Sequence, residues 1–143
     1  MLSPAPPTNK PASLAKLTQP TLARSVHMRE RLFEMLDQAR RMPIVWICAP
    51  AGAGKTTLIA SYLNAKRVPS LWYQMDTGDN DPGAFFYYLG MAAQSVAVHG
   101  ENRLPLLTPE YLGSLPVFSS NYFRELFVGL GVPSVLVLSP SSA

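Results

Sequence analysis

The stretch Ala49-Pro50-Ala51-Gly52-Ala53-Gly54-Lys55-Thr56 decides the reading of this chain. Small residues let successive backbone N–H groups curl inward around anionic oxygens, and a following helix adds its free N-terminal amides and the positive end of its dipole. The spelling fits the phosphate-binding P-loop, with Ala where the first Gly usually stands and Gly-Lys-Thr in place. Residues Ala49, Pro50, Ala51, Gly52, Ala53, Gly54, Lys55, Thr56 and Thr57 are therefore the candidate site. Lys55 is expected to reach the β and γ phosphates of ATP or ADP, and the Thr56 hydroxyl to take one position on Mg²⁺.

A short motif needs its flanks. Pro43-Ile44-Val45-Trp46-Ile47-Cys48 is an apolar run of strand length, the pattern of a strand buried on both faces of a parallel sheet. Downstream, Leu58, Ile59, Tyr62 and Leu63 fall on one side of a helix. Strand, glycine loop and helix thus follow in the required order, which argues against the bland alternative of a Gly/Ala-rich turn that happens to contain Lys-Thr.

With 143 residues and 48% hydrophobic content the chain can bury one core. Its net charge of +3 hides an asymmetry: residues 1–67 hold ten Lys/Arg against three acids, and residues 68–143 hold two against six. The cations are spread along a tail, a helix and the glycine loop, without the tight cluster that nucleic acid would attract. Cys48 is the single cysteine, so no intrachain disulfide forms, and at the end of an apolar strand it is expected to be a buried, inert thiol. No apolar run approaches the roughly 20 residues needed to span a bilayer. These features lead to the expectation of a cytoplasmic chain with no membrane partner.

Along the chain, residues 1–23 read as a Pro-rich, disordered or extended arm. Ser25 is the expected N-cap of a helix with Met28, Leu32, Met35, Leu36 and Ala39 as its apolar stripe, stopped by Pro43. Ser70 to Met75 reads as a strand, and Asp76-Thr77-Gly78-Asp79-Asn80 as a loop at its carboxyl end, the edge where open α/β sheets hold ligands. Asp81 and Pro82 open a helix with Phe85, Tyr88, Leu89, Ala92 and Val96 along one face. A loop over residues 99–107, a helical turn at Thr108-Pro109-Glu110, a helix from Asn121 to Leu130 capped by Gly131, and a strand Val135 to Leu138 complete the reading. The order points to an α/β fold, a three-layer αβα arrangement over a parallel sheet. It divides into the arm at 1–23, the N-terminal portion of a P-loop nucleotide-binding domain at 24–138, and a tail at 139–143 that does not look native to that fold.

The stretches Lys16-Leu17-Thr18-Gln19-Pro20, Arg29-Glu30-Arg31-Leu32, the glycine loop with Thr57-Leu58, and Trp72-Tyr73-Gln74-Met75-Asp76 through Asp79-Asn80-Asp81-Pro82 carry a more specific signal. In order and spacing they resemble the nucleotide-binding domain of LuxR-type ATP-binding transcription activators, members of the signal-transduction ATPases with numerous domains (STAND). The resemblance implies ATP or ADP held as a switch that favours a self-associated, DNA-binding form, with a winged helix, a helical repeat sensor and a helix-turn-helix domain following. It also implies an aspartate, the Walker B acid, directly after the strand Val135 to Leu138, where this chain has Ser139. Because that carboxylate helps to hold Mg²⁺, hydrolysis is expected to be crippled or absent, no catalytic residue is assigned, and a truncated or frameshifted family member is expected. Self-association, or pairing with a full-length regulator, is the expected partnership.

Other residues carry weaker signals. Asp76 and Asp79 invite assignment as replacement acids, but acidic turn residues more commonly bond local backbone or cap helices. Arg29 and Arg31 are candidates for nucleotide contact, or for a solvated helix face. His27 and His99 have no partner at ligand spacing and read as surface or helix-terminal histidines. Phe85-Phe86-Tyr87-Tyr88 lacks the interleaved cations of a base-stacking platform and reads as core. The alternative function is a small P-loop phosphotransferase, kinase-like, which needs a lid of clustered arginines; after Lys55 the chain offers only Arg67, Arg103 and Arg124. Direct DNA binding is not expected, because the helix from Asn121 to Leu130 is too apolar to serve as a recognition helix.

Overall fold

The structure, a computed structural model, describes residues 15–96 and 104–140. Its elements are α1 (Glu30–Ala39), α2 (Lys55–Ala65), β1 (Ser70–Met75), a 3₁₀ turn (Thr77–Asn80), α3 (Pro82–Gln94), a second 3₁₀ turn (Pro109–Ser114), α4 (Leu115–Leu130) and β2 (Val135–Pro140). β1 and β2 form a parallel pair in the register Ser70 with Val135 through Met75 with Pro140.

Strand alternation divides the interior into two cores. Leu71 and Tyr73 point to one face, where they meet Phe86, Leu89, Ala92 and Ala93 of α3 and Phe118, Tyr122, Leu126 and Leu130 of α4. Trp72 and Val137 point to the other, where Phe33 of α1 and Ala60, Tyr62 and Leu63 of α2 cover them. Helices therefore flank a small parallel sheet on both faces, an arrangement compatible with an α/β fold.

On the second face, Asp37 joins the two helices. Its carboxylate accepts from the Tyr62 hydroxyl at 2.6 Å and from Lys66 Nζ at 2.7 Å, while Arg40 donates to the Tyr62 oxygen at 3.2 Å. These bonds, that from Lys66 foremost, hold the Asp37 carboxyl below its ordinary range.

Local signals explain most boundaries. Asp81 caps α3, its carboxylate accepting from the Ala84 amide at 3.0 Å, with Pro82 in the first turn. Gly131 ends α4 with φ +67°, a conformation that costs glycine little. On and just beyond α3 the expected Leu89 and Ala92 are buried and Phe85, Tyr88 and Val96 pack against the core partly buried; Phe86 and Ala93 are buried beside them, whereas Tyr87, expected in the core, is exposed. α4 begins at Leu115, six residues before the expected Asn121, with Pro116 accommodated in the first turn.

Three expectations need correction. Residues 43–48 form no strand, and Ile44 and Trp46 are 81% and 85% exposed. An apolar run becomes a buried strand only when neighbouring strands take up its backbone groups and helices cover both faces; this segment lies outside the β1–β2 pair. Cys48 is consequently exposed, not buried. α1 starts at Glu30 with Arg29, not Ser25, in the cap position; Phe33 is its buried residue and the expected Leu36 packs against the same core, whereas Met28 and Met35 are exposed.

Candidate functional site

The glycine loop is built as its composition requires. Gly52 and Gly54 adopt φ values of +77° and +79°, in the left-handed region that residues with a Cβ avoid. Gly54 is the N-cap of α2, and its carbonyl accepts from the Leu58 amide at 2.9 Å. Ala53 donates to the Pro50 carbonyl at 3.2 Å, closing a tight turn. Lys55, Thr56 and Thr57 thus occupy the first turn of α2, whose amides have no intrahelical partner. The Lys55 ammonium folds back over the loop and donates to the carbonyls of Ala49 at 2.6 Å and Pro50 at 3.0 Å.

Of the two arginines considered for this site, Arg29 is brought to the loop. A Cβ on Gly54 would lie 3.9 Å from Arg29 Nη2. Arg31 is exposed on α1, and positions two apart on a helix do not share a face. His27 is exposed. His99 lies outside the described residues.

The loop after β1 is organised by its own acids. Asp76 accepts from the Gly78 amide and Asp79 from the Asp76 amide, both at 2.8 Å, forming a capping box on the 3₁₀ turn. Asp79, with its side chain 5% exposed, also accepts from the Tyr73 hydroxyl at 2.6 Å. The capping expectation for the two aspartates therefore matches the geometry.

Sequence reasoning missed their third partner. Lys16 Nζ donates to Asp79 at 2.9 Å and 3.1 Å and to Asp76 at 3.2 Å, while sitting 5.1 Å from the Tyr73 ring centroid and 4.7 Å from that of Tyr88. Its side chain is 13% exposed, although composition placed it in an arm expected to be disordered or extended. No periodicity links positions 60 residues apart; the sole signal was that Lys16 and the Asp76–Asp81 turn both belong to the stretches that carry the family resemblance. Burial opposes the charge on Lys16, but the bonds to Asp79 and Asp76 outweigh it and raise its pKa. Asp79 is governed in the same way: burial pushes its carboxyl up, and bonds from Tyr73, the Asp76 amide and Lys16 bring it below its ordinary value. Tyr73 is pushed far up by burial and by its bond to Asp79.

For Mg²⁺ the donor set is thin. Among the described residues no group of three or more His, Cys, Asp or Glu is disposed to hold a metal ion. Ser139 stands in β2 opposite Gln74, and Asp76 and Asp79 are taken up by Lys16 and local amides. What remains is the Thr56 hydroxyl, a neutral ligand suited to a cation that arrives with phosphates. No helix among the described residues is long and apolar enough to cross a membrane.

In sequence the chain is homologous to bacterial HTH-type transcriptional regulators. It is 36% identical over 115 residues to the HTH-type transcriptional regulator MalT of Vibrio cholerae serotype O1, a match covering 78% of this chain and 12% of that protein. It is 34% identical over 117 residues to MalT of Cronobacter sakazakii and 33% identical over 117 residues to MalT of Klebsiella pneumoniae, in each case over 81% of this chain and 12% of the relative. The chain thus spans about one eighth of the length of these curated relatives. No family model and no solved structure matches it.

Proposed function

We propose that this chain is the N-terminal portion of a P-loop NTPase-type, nucleotide-binding regulatory domain of a STAND-class transcription activator, binding ATP or ADP with little or no hydrolysis. The observation that carries the reading is the glycine loop: two left-handed glycines, an inward-turned Lys55 and the free amides at the start of α2. Homology to proteins named as HTH-type transcriptional regulators supports the regulatory part.

In this reading Lys55 exchanges its contacts with the Ala49 and Pro50 carbonyls for phosphate oxygens, which are charged and therefore stronger acceptors. Arg29, beside Gly54, adds a second cation at the loop, and its fork suits phosphate oxygens as well as a solvated edge. Thr56 would be this chain's ligand to a Mg²⁺ arriving with the nucleotide, and that ion would supply neutralisation of phosphate charge. Without a carboxylate at Ser139, the described residues supply neither a second anchor for the metal nor a base for water. The function that follows is to hold a nucleotide rather than to turn it over.

Equilibrium dialysis of labelled ATP and ADP against the wild type and Lys55→Ala tests the reading, with circular dichroism confirming that both are folded. Binding in the micromolar to millimolar range, weakened by the substitution, is expected. Equal retention by both proteins removes the phosphate-loop assignment.

A further inference from the structure

Residues 15–22 cross the outer edge of β1. The Gln74 amide donates to the Lys16 carbonyl at 2.8 Å on the side of the strand away from β2, so the segment covers an edge that would otherwise be open. Leu17 packs into the core of the α3 and α4 face, whereas Leu22 packs into that of the α1 and α2 face. The segment therefore wraps from one face of the sheet to the other and is fastened at both ends. At one end Lys16 holds Asp76 and Asp79, the turn at the carboxyl end of β1. At the other, Gln19 Nε2 donates to Asn64 Oδ1 at 2.9 Å and to the Ala60 carbonyl at 3.5 Å, both on α2.

We propose that residues 16–19 are a clasp that ties the Asp76–Asn80 turn to α2, the helix that carries the glycine loop, so that loosening either end of the clasp loosens the other. The physical grounds are the shortness of the bridge and the polarity of its anchors. Two residues separate Lys16 from Gln19, too few to absorb a displacement by coiling. Lys16 is held by two carboxylates and two aromatic rings, so its bonds are charge-assisted and largely shielded from water. A shift of the turn at the ligand edge of the sheet is then passed to the phosphate-loop helix along the strap, beside the path through β1 itself. This mechanical link holds whether or not the loop takes a nucleotide.

Hydrogen exchange of the whole chain, read by mass spectrometry without nucleotide, tests it from both ends. Lys16→Met touches no residue of α2, yet it should raise exchange over residues 60–65 by about fivefold or more. Gln19→Ala, a mild and partly exposed change, should do the same over residues 74–80, which keeps the test open if Lys16→Met fails to fold. The clasp is overturned if either anchor substitution loosens only its own end.

Discussion

The Tyr122 hydroxyl donates to the carbonyl of Phe86 at 2.8 Å, a buried side-chain-to-backbone bond that joins α4 to α3. The two rings are 4.7 Å apart, and Phe118 meets Phe86 edge-on at 4.9 Å, so the bond sits inside an aromatic cluster. Gly90 makes room for it: a Cβ there would come within 3.2 Å of the Tyr122 oxygen. Tyr122→Phe should lower unfolding free energy by about 1 kcal/mol, read as a shift in the urea midpoint at constant slope. Gly90→Ala should be destabilising as well, despite its better helix propensity, and a gain in stability would contradict the close packing of this cluster.

The ion pairs at the end of β1 give the chain a pH signature with two limbs. Asp79 has a lowered folded-state pKa, so its contribution is present above the unfolded carboxylate range, about pH 4, and is lost as pH falls through the folded value. Lys16 has a raised pKa, so its contribution is complete below the unfolded value, about 10.4, and is lost as pH rises through the folded one. Asp79→Asn should therefore flatten the acid limb of a stability-against-pH curve. The same acid dependence in variant and wild type would show that Asp79 is not ionised and paired in the folded state.

How much of this was legible beforehand differs from element to element, for physical reasons. β1 is legible at its true bounds because the consecutive apolar residues Leu71, Trp72 and Tyr73 lie between two punctuated breaks, the pattern of a strand covered on both faces. Asp81-Pro82 and Gly131 were legible because caps are decided by local chemistry. The glycine loop was legible as spelling, and its left-handed glycines follow from that spelling. Residues 43–48 misled because an apolar run records only what the segment would bury, while strand pairing depends on neighbours distant in sequence. The Lys16 clasp was invisible for the same reason: its meaning lies in Asp76 and Asp79, 60 and 63 residues away.

The exposure of Cys48 has a direct readout. Since the thiol is not sequestered, it should react with a chromogenic disulfide reagent under native conditions at a rate similar to that in denaturant. Protection by a hundredfold or more, released on unfolding, would place Cys48 at the end of a buried strand after all.

Ser139 separates two accounts of the missing acid. If it merely replaces a carboxylate in an otherwise competent site, Ser139→Asp should give measurable ATP hydrolysis, because a placed charge can stabilise a transition state by several kcal/mol. The expected result is none, since the side chains the structure brings to the glycine loop, Lys55 and Arg29, are cations and supply no base for water. Mg²⁺-dependent phosphate release by Ser139→Asp, lost again on adding Lys55→Ala, would reverse that conclusion.

The two tryptophans stand in opposite environments, Trp72 2% exposed in β1 and Trp46 85% exposed three residues before the glycine loop. Indole emission moves to shorter wavelength as water is withdrawn from the ring, so the chain carries two intrinsic optical labels with separate duties. Trp72 reports the integrity of the sheet; Trp46, within quencher reach, reports on the approach to the phosphate loop. Anything that settles over that approach, whether a neighbouring strand or a second polypeptide, will declare itself as a blue shift in the quenchable half of the spectrum while the other half stays still.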